Sequence, residues 1–337
     1  MNILYLSCHS ILEYDELKLF EELGYDYFSI GAYINPQKPH DEKRPALTHE
    51  YNEHLASVSM VHNQNNLHPE QIEWADVIII MHVPEWIEHN WEKMKHKRVI
   101  WRTIGQSTQD VEQRLMTFRK EGLEVLRYSP GEANIPGYIG SSGLIRFYKD
   151  PEEFRGWIGD SPTEGVQQVV TFAQSMRSRG EFCNFDAFAK ATQGLPAKVY
   201  GPNNQDAGEL NGGLLSYQDL KTTLRTSRAY FYTGTHPASY VLNLIEAWMT
   251  GIPVVAIGHK LGNSPHFPGQ TYEVPELINN GIDGFCSDNP ELWTDYLRNL
   301  LEDAAFARKI GDAGRARAIE LFGKENIKQQ WKEYLER

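Results

Sequence analysis

The chain has few cysteines, no long apolar run and no surplus of positive charge. Its three cysteines, Cys8, Cys183 and Cys286, are scattered without metal-ligand spacing. That predicts neither a disulfide framework nor a zinc site, and it suits a reducing compartment. The longest apolar run, Val77 to Met81, has the length of a strand and falls far short of the ~20 residues of a membrane span. The N-terminus enters a strand-like run at Asn2 without a basic leader, so a cytoplasmic protein is expected. A formal net charge of −12 argues against an extended nucleic-acid surface, which needs clustered Lys and Arg. Repeats of solenoid period and low-complexity tracts are also missing.

What is present reads as globular, with 41% hydrophobic and 23% charged residues. A length of 337 residues fits two domains of roughly 150 residues each. In the first half, Asn2 to Ser7 reads as a strand and Tyr14 to Leu23 as a helix with Leu17, Phe20 and Leu23 on one face, stopped at Gly24. Tyr27 to Ile30, Asp76 to His82, Arg98 to Arg102 and Glu124 to Tyr128 read as further strands, and Asn35 to about Asn66 as an irregular polar excursion. Gly159 to Gly165 has the composition of an inter-domain linker.

A second cycle then begins. Gln168 to Phe172, Ala197 to Tyr200, Ala229 to Tyr232 and Val254 to Ile257 are its strands, with helices at Asn184 to Thr192, Tyr217 to Arg225 and Tyr240 to Thr250. This alternation predicts parallel sheets with right-handed crossovers. The expected class is α/β, with two Rossmann-like, doubly wound domains over 1–160 and 165–322 facing a cleft. The C-terminal helix, 323–337, is a candidate to pack back on the first domain. Ligands in such sheets sit at the carboxyl ends of the strands.

The segment Thr233 to Ala256 carries the most chemical information. A strand ends at Tyr232, a turn of small residues follows, and a helix is expected to begin near Pro237 or Ala238. A helix start at that edge offers unpaired N–H groups and a positive dipole end, which suit phosphate. Glu246 lies too deep in the helix to cap it, and a carboxylate there suits ribose hydroxyls. With Glu246-Ala247 and Gly251-Ile-Pro-Val-Val255, and again over Pro275 to Phe285, the chain resembles the retaining, family 4-type glycosyltransferases of the GT-B fold. The resemblance covers about Val166 to Arg337.

The resemblance implies a donor site for a nucleotide sugar built from Arg177, Arg179, Gly201, Leu215, Ser239, Tyr240, Val241 and Glu246, with a UDP-sugar favoured over GDP- or ADP-sugars. It implies a glutamate at position 238, where this chain has Ala238, and a cleft histidine at position 105, where it has Gly105. Arg179 takes the place of the family's lysine, and Arg177 is expected to supply a further charge on the diphosphate. His9, Glu13 and His82 follow strand ends of the first half and are the candidates to orient an acceptor hydroxyl; helix-start acids and a plain loop histidine are the simpler readings. Transfer with retention follows from the resemblance. No Asp-x-Asp pair is well placed, so neither a metal nor a cofactor is expected beyond the nucleotide sugar. The acceptor is open between a glycan and a small molecule. A nucleotide-sugar epimerase, a phage-type DNA-base glycosyltransferase and an inactive nucleotide-sugar binder are the rival readings.

Overall fold

The computed structural model describes residues 1–38, 44–61, 65–105, 107–267 and 269–337. It divides into two compact units, Met1–Phe147 with Ile327–Arg337, and Tyr148–Asn326. The first contains a six-stranded parallel sheet in the order β2-β1-β3-β4-β5-β6. Its strands are β1 (Asn2–Leu6), β2 (Asp26–Ile30), β3 (Val77–Met81), β4 (Arg98–Arg102), β5 (Glu124–Arg127) and β6 (Gly143–Leu144). The second has the order β12-β11-β10-β7-β8-β9, from β7 (Val166–Phe172), β8 (Ala197–Tyr200), β9 (Asn211–Gly213), β10 (Ser227–Tyr232), β11 (Val254–Ile257) and β12 (Phe285–Ser287). In each sheet the order reverses beside the first strand of the unit, which is the doubly wound pattern. Strands such as β3 and β11 are buried at every position. Sheets covered on both faces demand such unbroken apolar runs, which is why these strands were legible.

Three sequence expectations need correction. The division falls at Phe147/Tyr148, not at 160–165. The glycines at 159–165 lie inside the second unit: Arg228 Nε donates to Gly159 O at 2.7 Å, and a Cβ at Gly159 would stand 2.3 Å from Ser227 O. Gly was there for close packing, not for looseness. The excursion at 35–66 contains a helix, Glu53–Val61, and buries Leu47, Leu55 and Ala56; its residues 39–43 and 62–64 lie outside the described residues. The first helix, finally, starts at Ser10 rather than Tyr14, because His9 caps it.

The C-terminal helix, Lys324–Leu335, carries the residues from Ile327 that belong to the first unit. Trp331 is fully buried, edge-on to Phe20 with ring centroids 5.2 Å apart, and the Arg102 guanidinium lies 5.5 Å from its ring. At the helix end, Arg98 donates to Tyr334 O and Leu335 O, both at 2.8 Å. A cation suits the negative end of a helix and satisfies its last carbonyls. Truncating Trp331 to Ala is expected to cost about 3–5 kcal/mol, as for other buried aromatics. Lys332→Ala, on the exposed side, should stay within about 0.5 kcal/mol. Urea denaturation of the two variants checks this pair.

Candidate functional site

In the second unit, the loops after β7, β8, β10 and β11 meet at the carboxyl edge. Gly201, at φ +137°, ends β8; a Cβ there would stand 2.3 Å from Ala173 O, so this approach requires glycine. Asn204 fastens the same corner, with Nδ2 donating to Ala173 O at 2.7 Å and Oδ1 accepting from Met176 N at 2.8 Å. Arg177 Nη1 donates to Asp206 O at 2.7 Å, and its guanidinium lies 5.5 Å from the Phe185 ring. Arg179 is exposed and opens the 3-10 turn Gly180–Phe182. That turn is joined to the β10 loop: His236 N donates to Phe182 O and Thr233 Oγ1 to Cys183 O, each at 2.8 Å. The structure therefore brings the Arg179 loop and the 233–241 loop together. Leu215 is half-buried beyond β9, next to Leu214, which is 70% exposed.

The helix after β10 begins at Leu242, not near Pro237 or Ala238. Thr235 to Ala238 form a turn closed by Ala238 N to Thr235 O, and Ser239 O accepts from Glu273 N at 3.1 Å. That bond spends the Ser239 carbonyl outside a helical ladder and delays the helix. Ser239 and Tyr240 bury their side chains, Tyr240 against Phe322, so what this segment offers a ligand is backbone. The N-cap, Val241, makes no side-chain cap bond, and Val241, Leu242 and Asn243 are half-buried. Leu244 N already donates to Val241 O at 3.2 Å, while Leu242 N and Asn243 N have no partner among the described residues and are open to an anion. Beside them, Asn243 Nδ2 donates to Phe172 O at 2.5 Å, while its Oδ1 is buried without a partner among the described residues. Glu246 is 6% exposed, and its Oε1 lies 2.9 Å from Lys149 Nζ. It is not a solvated helix carboxylate. Lys149 was not foreseen, because the pair spans a sequence separation no local pattern reveals.

In the first unit, His9 caps the Ser10–Glu22 helix, its Nδ1 accepting from Leu12 N at 3.3 Å. Glu13 is a correction. Its buried carboxylate takes three donors, Ser29 Oγ at 2.5 Å, Ala32 N at 2.9 Å and Tyr33 N at 3.0 Å. It braces the chain after β2, and its oxygens would collide with any side chain at Gly31. His82 ends β3 in the left-handed region at φ +62°, a conformation that costs a non-glycine residue energy. Its N–H donates to Arg102 O at 3.0 Å and its carbonyl accepts from Trp101 Nε1 at 2.9 Å, while Nδ1 is buried without a partner among the described residues. Burial holds this imidazole below the usual histidine range, so it is a neutral base near pH 7. Gly105 has φ +85°, a position suited to glycine rather than histidine.

No protein-family model and no curated sequence matches the chain. Among solved structures, HepE of Anabaena in complex with UDP-glucose matches with a TM-score of 0.67 at 15% identity, over 100% of this chain and 99% of that one. Sucrose-phosphate synthase of Thermosynechococcus elongatus matches at 0.66 and 14%, over 100% and 98%. An α-glucosyltransferase in complex with UDP-glucose and DNA matches at 0.59 and 11%, over 100% of both chains. The chain has the GT-B fold. At these identities the likeness establishes architecture, and the chemistry must come from the residues. No helix among the described residues is long and apolar enough to cross a membrane.

The carboxyl edge of the first sheet also holds a residue that sequence reading missed. Glu132 is 3% exposed and accepts from Thr103 Oγ1 at 2.5 Å. Two arginines are buried nearby, and each has its own carboxylate. Arg102 Nε lies 3.0 Å from Glu16, and Arg127 makes bonds of 2.6 and 2.9 Å to Glu112. Glu132 is the third carboxylate against two cations, and burial pushes it up to about 7 despite the attraction of Arg127. An acid raised in the folded state stabilises below its ordinary pKa of 4.5 and loses that contribution as pH climbs through about 7. Wild-type stability is therefore expected to fall by about 3 kcal/mol between pH 4.5 and 8 relative to Glu132→Gln. Parallel urea titrations across that range measure the difference; equal slopes for the two proteins would contradict the assignment.

Proposed function

We propose that the chain is a glycosyltransferase that moves a sugar from a nucleoside diphosphate, UDP in preference to GDP or ADP, to an acceptor hydroxyl with retention of anomeric configuration. One observation carries this reading: the uncapped, half-buried start of the Leu242–Thr250 helix, at the carboxyl edge of a doubly wound sheet, with Leu242 N and Asn243 N unpartnered among the described residues. Backbone N–H groups fixed in that place favour the charge that grows on a departing diphosphate, and they need no rearrangement as the reaction proceeds. The neighbouring complexes of HepE with UDP and with UDP-glucose support a nucleotide sugar as the donor.

In this mechanism the diphosphate oxygens lie against Leu242 N and Asn243 N, and Arg179, which no carboxylate engages among the described residues, swings onto them. Arg177 is already committed to Asp206 O and shapes the loop. Glu246 takes the ribose. Ala238 leaves the donor sugar to backbone groups, since His236 is anchored through Nε2 to Leu261 O at 2.7 Å. The bond from the anomeric carbon to the diphosphate oxygen breaks while the acceptor oxygen bonds to the same face. The acceptor proton passes to the departing diphosphate. On the acceptor side, His82 offers a neutral imidazole and His9 a cap that can turn to a hydroxyl. The formal charge of −12 favours a glycan or small-molecule acceptor over DNA, and we place the reaction in the cytoplasm.

With cationic and backbone groups on the diphosphate, no divalent ion is required. Transfer, or slow donor hydrolysis without acceptor, should persist in excess EDTA and give an α-linked product from an α-linked donor by NMR. Arg179→Ala should slow it about 10²–10³-fold. Activity abolished by EDTA and restored by Mg²⁺ would overturn this part of the reading. An inverted product would overturn retention, and donor isomerisation without transfer would make the chain an epimerase.

A further inference from the structure

The pair between Lys149 and Glu246 is the feature of the second unit least explained by stability. Their side chains are 2% and 8% exposed, with Nζ 2.9 Å from Oε1. A buried ion pair does little for stability compared with apolar residues of the same size, because both ions must leave water. It is informative for what it holds in place. Lys149 is itself firmly fixed. Its N–H donates to Phe322 O at 3.0 Å, and its backbone forms a parallel bridge with Gly323. Its ammonium lies 5.8 Å from the Phe154 ring centroid, and the next residue, Asp150, pairs with Lys324 at 3.0 Å. The same stretch reaches the helix start a second way, because Phe322 packs edge-on against Tyr240 with centroids 5.3 Å apart.

We propose that Lys149 is a positioning residue for the nucleotide: it engages one oxygen of Glu246 and so presents the other to the ribose hydroxyls, making the site selective for ribonucleoside over deoxyribonucleoside diphosphates. This rests on the donor-site reading above. Glu246 sits one helical turn beyond the N–H groups that receive the diphosphate, so a carboxylate free to rotate there would lose its register with the ribose. An ammonium is a point charge with three donors. One donor on Oε1 fixes the carboxylate plane through a group whose own backbone is locked to Phe322 and Gly323.

The test is calorimetric binding of UDP, GDP and ADP, each with its 2′-deoxy counterpart, to the full-length protein and four variants. The wild type should prefer the ribonucleotide by roughly tenfold or more, the range of one charge-assisted hydrogen bond. Lys149→Met should weaken the ribonucleotide by a similar factor and bring the two forms within about twofold, while Lys149→Arg restores most of the preference. Because Lys149→Met strands a buried carboxylate and can unfold the unit, Glu246→Gln and Lys149→Met/Glu246→Gln are measured as well. If Lys149 acts through Glu246, this double variant binds no more weakly than Glu246→Gln. A folded Lys149→Met with wild-type affinity and ribose preference would overturn the proposal and leave the donor site standing. So would a double variant much weaker than Glu246→Gln. A wild type that binds none of the six nucleotides would overturn the donor site and the proposal together.

Discussion

At the start of the Leu242–Thr250 helix, Leu242 N and Asn243 N have no hydrogen-bond partner among the described residues, whereas Leu244 N already donates to Val241 O at 3.2 Å. Side chains cap several helices of this chain: Thr108, Ser216, Asn289 and Asp303 each accept a backbone N–H at a helix start. Val241, like Pro84 and Asn184, makes no such bond. The neighbourhood is nevertheless held firmly, by Ser239 O to Glu273 N, Asn243 to Phe172 O and Thr233 to Cys183 O. A rigid frame around unpaired donors is what electrostatic preorganisation requires, since the donors need not move when charge develops. Aromatic rings beneath the edge add to that frame: Phe172 stacks near Tyr200 and Tyr230, and Tyr232 lies between Tyr230 and Tyr272.

The first unit is built on a different constraint, buried charge. Arg102 and Arg127 are wholly buried, and each is matched by a carboxylate and by main-chain carbonyls: Arg102 Nη1 reaches Arg127 O and Ile145 O, and Arg127 Nε reaches Gly140 O. These bonds tie β4, β5 and the chain around β6 to one another. Breaking a matched buried pair from one side is far costlier than the pair is worth, which makes the network a strong restraint on the strand ends. Thr103 follows β4 and donates its N–H to Leu126 O, and His82, after β3, donates its N–H to Arg102 O, so both lie against this network.

How much of this was legible in the sequence depended on distance along the chain. The parallel sheets were readable because runs such as Val77–Met81 and Val254–Ile257 are local signals of burial on both faces. Glu246 could be singled out because its neighbours form a local pattern, and the structure buries it against Lys149. The short strands β6, β9 and β12 carried too few residues to show a period. Glu13 misled, since an acid near a helix start suits the dipole as well as it suits a buried brace across to Ser29. Lys149 and Glu132 were invisible because their significance lies in partners or in a missing partner far away in sequence. Gly159 to Gly165 misled for the opposite reason. Glycine marks both loose linkers and the closest backbone contacts, and only three-dimensional neighbours such as Ser227 O distinguish them.

The central claim is that a nucleoside diphosphate binds the open start of the Leu242–Thr250 helix. A crystal structure of the full chain with UDP tests it most directly. The account expects diphosphate oxygens within hydrogen-bond reach of Leu242 N and Asn243 N, and a ribose hydroxyl on Glu246. UDP seated in the first unit, or in the second with these groups untouched, would contradict it.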